Sequence, residues 1–212
     1  LILTVENFRI GSVADLLGYR GLDGTVNGYL DLVGPSVSPT VQGDLQVELE
    51  ANRKNVGNLE LAVGYDSLRL RLDGYLEHVE GGTMNFVGLL PVDLRLASTR
   101  GPTQTGVRVS ARQALPDSDV DLTVSADSFS VGWILPFLDP AVYSRLDGRV
   151  DGEMRMLGTF AEPLMSGAAT IRDGRVGLPI FGTEVEAVNG RLLFEDRNIL
   201  IENLSGRSGR GP

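Results

Sequence analysis

The feature that most constrains this chain is a two-residue alternation of apolar and polar side chains, cleanest in Leu68-Arg69-Leu70-Arg71-Leu72-Asp73. Successive side chains of an extended strand point to opposite faces, so this pattern puts leucines on one surface and charges on the other. The same phase sets Leu45, Val47 and Leu49 against Gln46, Glu48 and Glu50, and puts Leu94 and Leu96 around Arg95, Val107 and Val109 around Arg108, and Met154 and Met156 around Arg155. Helix is scarce, with only residues 12–17 and 131–138 offering compact apolar clusters of one or two turns. Asp23-Gly24, Asn27-Gly28, Asp73-Gly74, Asp147-Gly148, Asp173-Gly174 and Asn189-Gly190 fit tight hairpin turns, where glycine takes a positive φ. The expectation is an all-β antiparallel meander of about a dozen or more strands, each of roughly 5–6 residues.

The meander repeats. Laying residues 22–43 over 146–167 without a gap matches Leu22, Asp23, Gly24, Val26, Gly28, Gly34, Pro39 and Gly43 to identical residues 124 positions later. Random pairing would match about two, so the chain divides into a first unit at 1–121 and a second at 122–212 of one continuous structure. Such units bury their apolar faces against neighbours and grow in one dimension. Leu1-Ile2-Leu3-Thr4-Val5 reads as a strand, not as the basic start of a signal peptide, and no apolar run approaches the roughly 20 residues that span a bilayer.

A net charge of −9 with scattered carboxylates excludes the cationic stripe that nucleic acid needs. The absence of cysteine rules out disulfides and thiolate metal sites. Asp117, Asp119 and Asp121 share the spacing of a calcium loop's start, but Leu122 stands where glycine is required and Ser128 where the bidentate glutamate belongs, so a solvated strand is the reading. His78 is the only histidine and reads as a polar turn residue between Glu77 and Glu80. Glu184, Glu186 and Glu195 alternate with apolar residues as a wet face, and residues 206–211 read as a connecting turn. Trp133, Ile134, Leu135, Phe137 and Leu138 form the most hydrophobic cluster, suited either to packing across a sheet edge or to plugging a groove. No constellation organises catalysis, and neither cofactor nor metal is expected.

One aliphatic face comprises Val47, Leu49, Leu61, Val63, Leu70, Leu72, Phe86, Leu94, Leu96, Val107, Val109, Met154, Met156, Ile171, Val176, Phe194, Ile199 and Ile201. Alternation says which face is buried. It leaves a closed sandwich or solenoid and an open trough both standing.

The ordered series Leu146-Asp147-Gly148-Arg149-Val150-Asp151-Gly152, Leu157-Gly158-Thr159 with Pro163 and Gly167, Asp173-Gly174-Arg175-Val176, Gly190-Arg191-Leu192-Leu193-Phe194 and Ile199-Leu200-Ile201-Glu202-Asn203-Leu204 resembles the C-terminal repeats of the TamB family and its AsmA-like relatives. The first copy departs from it with Pro35 in place of Thr159 and Arg53-Lys54 near the counterpart of Asp173-Gly174. The resemblance implies an elongated antiparallel sheet curled into an open trough, with one or two very short helices. It implies the periplasmic part of a protein anchored in the inner membrane of a two-membrane bacterium, whose aliphatic groove carries phospholipid acyl chains between membranes. It also implies a linked role in outer-membrane protein assembly with a barrel partner resembling TamA. The rival function is a closed β scaffold that assembles proteins by strand augmentation without carrying lipid.

Overall fold

Alternating strands can share one sheet only if every register keeps the apolar phase on the same side. The computed structural model, which describes residues 1–11, 14, 21–35, 38–94, 120–159 and 162–209, meets this condition over eleven strands. They are β1 (Ile2–Arg9), β2 (Leu22–Val33), β3 (Thr40–Ala51), β4 (Lys54–Asp66), β5 (Arg69–His78), β6 (Thr83–Pro91), β7 (Val120–Ser130), β8 (Arg145–Gly158), β9 (Pro163–Leu178), β10 (Thr183–Asp196) and β11 (Asn198–Ser208). All neighbours are antiparallel and the spatial order is the sequence order, so among the described residues β1 and β11 are the outermost strands and the sheet does not close into a barrel. The architecture is the open, all-β one expected, in a single sheet with no second sheet facing it among the described residues.

The turns differ from expectation. All six Asp-Gly and Asn-Gly pairs lie inside strands, two of them in β2 alone. Strands are consequently 8–16 residues long and fewer than the short ones expected. The hairpins β3–β4 and β4–β5 instead turn on Asn52-Arg53 and Ser67-Leu68, each pair with both residues at positive φ, which is the type I′ geometry that matches strand twist. Residues 206–208 likewise continue β11 and do not form a turn.

The strand glycines serve curvature. Counting register from Val47, Gly24, Gly28, Gly43, Gly57, Gly74, Gly88, Gly152, Gly167 and Gly190 all fall on the aliphatic face. A Cβ on Gly28 or Gly152 would approach the Asp44 or Ala168 carbonyl oxygen closer than 3.0 Å, and their φ values of 149° and 152° belong to glycine. This face lines the cavity beneath the 132–137 segment, with Met84, Val124, Phe129, Val150, Gly152 and Met154 on its wall, and is the concave one. Bulges add bend and twist. At three of them the displaced N–H is met by a side chain of the next strand: Asn7 N–H donates to Asn27 Oδ1 (2.8 Å), Ser128 N–H to Asp151 Oδ1 (2.9 Å) and Asp173 N–H to Asn189 Oδ1 (3.1 Å).

Curling is evident at the rim where β3 ends and β8 begins. A 3₁₀ helix, Gly132–Phe137, forms within the apolar cluster expected there and touches both β3 and β8. In a flat sheet those strands, five steps apart, would be separated by roughly 24 Å. Six residues of 3₁₀ helix span only about 12 Å, so the sheet has coiled beneath it. Of the other short helix expected, only Ala14 lies among the described residues.

Candidate functional site

The concave face is the candidate site. Register places Leu61, Val63, Leu70, Leu72, Phe86, Met154, Met156, Ile171, Val176, Phe194, Ile199 and Ile201 on the same side of the sheet as Val47 and Leu49. Leu94 lies just past β6, half-buried, with its N–H donating to the Tyr65 phenol oxygen (3.1 Å). Leu96, Val107 and Val109 lie outside the described residues. Of the fourteen within strands, Val47 alone is buried, eleven are half-buried, and Ile199 and Ile201 near the β11 edge are 54% and 60% exposed. A packed core would bury them nearly all. Here an aliphatic surface runs along the sheet without a second sheet over it among the described residues.

Sequence reasoning takes Gly24, Gly28, Gly74 and Gly190 for turns and leaves Gly43, Gly57, Gly88, Gly152 and Gly167 out of the groove. The signal was present in the phase of the alternation: Gly74 continues the series Leu70, Leu72 and Leu76, and Gly57 continues Leu59, Leu61 and Val63. Over Gly74 lies the Phe86 ring, filling the space a side chain would take.

Beneath the rim helix the groove deepens into a 250 Å³ cavity, lined by Met84, Val124, Phe129, Trp133, Ile134, Val150, Met154 and Phe194. Phe129 meets Trp133 edge to face, ring centroids 6.4 Å apart. The hydrophobic cluster read from the sequence is thus both a rim-packing element and part of the groove wall.

His78 is not a turn residue. It ends β5 on the concave side, 7% exposed, edge to face with Phe129 at 5.5 Å. Its Nδ1 accepts the Glu80 N–H (3.0 Å), which leaves the neutral ring's proton on Nε2. Burial pushes its pKa below the ordinary value, with Glu80 opposing and Arg149 adding to the shift.

The convex face carries the charge. Arg155 reaches Asp121 (2.8 Å), Arg145 reaches Asp147 (2.7 Å) and Glu184 (3.1 Å), and Arg172 reaches Asp151 (2.9 Å). Hydrogen bonds from Arg155 hold the Asp121 carboxyl below the usual range, and Arg172, with the Ser128 N–H, does the same for Asp151. Asp121 is thus engaged with Arg155, while Asp117 and Asp119 lie outside the described residues. Glu184, Glu186 and Glu195 are exposed on this wet side. Arg149 crosses the outer seam, donating to the carbonyls of Ser128 (2.7 Å), Glu80 (2.8 Å) and Gly81 (3.0 Å).

The TamB C-terminal domain model matches residues 1–203. The chain belongs to the TamB family. No curated protein and no solved structure matches it significantly. Among the described residues of this TamB-family chain, no helix is long and apolar enough to cross a membrane, and no group of three or more His, Cys, Asp or Glu residues is placed to hold a metal ion.

Proposed function

We propose that the concave face carries phospholipid acyl chains through the periplasm between the inner and outer membranes, as part of a TamB-family envelope protein anchored outside this stretch. The observation that carries this reading is the aliphatic face, half-buried from β2 to β10 and more exposed at β1 and β11, which has no second sheet over it among the described residues. Acyl chains ask for dry, undirected contact, and polar groups on this face would obstruct them. Val47, Leu49, Leu61, Val63, Leu70, Leu72, Phe86, Met154, Met156, Ile171, Val176, Phe194, Ile199 and Ile201 are the proposed lining, joined by Leu94, Leu96, Val107 and Val109. No residue has a chemical role, and transfer is passive sliding. The repeat gives the groove its length, with residues 1–121 and 122–212 as successive units. Their supporting correspondences are the matched bulges at Asn7 and Ser128 and the matched glycine pairs Gly28/Gly152 (φ 149° and 152°) and Gly34/Gly158 (φ 93° and 95°).

The match to the TamB C-terminal domain supports a second, linked role in outer-membrane protein assembly. A barrel partner resembling TamA is the expected companion.

In-cell photocrosslinking tests the lipid reading. A photoreactive residue at Val47, Leu70 or Met156 should capture phospholipid, and one at Gln46, Arg71 or Arg155 on the opposite face should not. Equal capture from both faces, or protein adducts only, contradicts it.

A further inference from the structure

A second pocket, of 530 Å³, lies at the rim itself and shares Trp133 with the apolar cavity. The rim pocket combines apolar Val56, Leu135 and Leu146 with the charged Lys54, Glu80, Arg145 and Asp147. Arg145 is already neutralised by Asp147 and Glu184. Lys54 and Glu80 are exposed, and neither forms an ion pair with another described residue; the Glu80 carboxylate accepts only a long hydrogen bond from Ser130 Oγ (3.4 Å). One cavity therefore presents an uncommitted cation and an uncommitted anion, next to a dry slot.

We propose that the rim pocket is a headgroup subsite for a zwitterionic phospholipid, one whose phosphate ester carries an ammonium group. The phosphate faces Lys54, the ammonium faces Glu80, and an acyl chain enters the cavity beneath the rim helix past Trp133. The charge pattern favours a zwitterion over a net-anionic lipid, because the Glu80 carboxylate repels a second negative group and attracts the ammonium. A free phosphate ester would leave the apolar slot empty, so the paired pockets commit to the lipid. This inference rests on the lipid-carrying reading above.

The test is a photoreactive residue at Met154, in the apolar cavity, within the full-length protein in cells, with captured lipids identified by mass. The adduct mass reports the acyl chains and headgroup together. Ethanolamine lipids should be enriched over glycerol lipids relative to the surrounding membrane by roughly two- to fivefold, the discrimination of one screened ion pair. Glu80→Gln should return that ratio to the membrane's without lowering total capture. Lys54→Gln should lower capture of all phospholipids by a similar factor, and Glu77→Gln on the neighbouring convex position should change neither. Both pocket residues are exposed, so these substitutions leave the fold in place. Capture at the bulk membrane ratio, indifferent to both pocket substitutions, overturns the headgroup subsite and leaves the lipid groove intact. No lipid captured at Met154 or at Val47 overturns the lipid-carrying reading itself.

Discussion

Gly28 and Gly152 hold backbone that no other residue adopts cheaply, with a neighbouring strand's carbonyl where a Cβ would stand. Gly152→Val should therefore cost about 1–3 kcal/mol in backbone strain alone, read as a lower urea midpoint. Gly64→Ala on the convex face, where the nearest atom to an added Cβ is 3.8 Å away, should be close to neutral. Asp151 joins a bulge N–H to Arg172, and Asp151→Ala should destabilise by about 1–3 kcal/mol because the Ser128 N–H loses its acceptor. Acid should act in two windows. The His78 pKa is lowered by folding, so the unfolded chain takes up the proton first and stability falls as pH drops below about 6.5. The Asp151 and Asp121 carboxyls are also lowered, so their contribution is present above about pH 4 and is lost below it. Thermal melts at pH 7.5 and 5.5 should show the first loss, and His78→Phe should abolish it.

Strands and their faces were legible because a period of two survives any tertiary context that buries one side of a sheet. Leu68-Arg69-Leu70-Arg71-Leu72 needed no structure to be assigned. Turn positions were not legible, because glycine after Asp or Asn serves two ends: a positive-φ turn residue and a missing Cβ on a crowded concave face. Gly24, Gly28, Gly74, Gly148, Gly174 and Gly190 all serve within strands, while Asn52-Arg53 and Ser67-Leu68 make turns with no glycine. His78 was misread for a related reason, since its burial depends on Phe129, which lies far along the chain. The rim helix was legible as an apolar cluster, and its position over β3 and β8 was not. Trp133 is half-buried there, so Trp133→Ala should cost about half of the roughly 3–5 kcal/mol a fully buried tryptophan is worth. Faster amide exchange at Phe129 and Ser130, with β10 and β11 unchanged, would show that the loss is confined to the rim.

At the scale of the molecule, one phase of alternation joins eleven strands into an open surface, apolar on its concave side and charged on its convex side. What the sequence could not decide, open trough or closed core, is a matter of what lies opposite the aliphatic face, and periodicity carries no information on that. The measurement that bears on it most directly places a single charge in the groove of the full-length protein, as Leu72→Asp or Met154→Asp, beside the convex control Arg71→Asp, and follows phospholipid delivery to the outer membrane in cells. Both groove positions are half-buried, so the folded protein should still accumulate, with delivery lost in the groove variants and kept in the control. Delivery unchanged by a carboxylate at Leu72 and at Met154 would contradict a lipid path along this face.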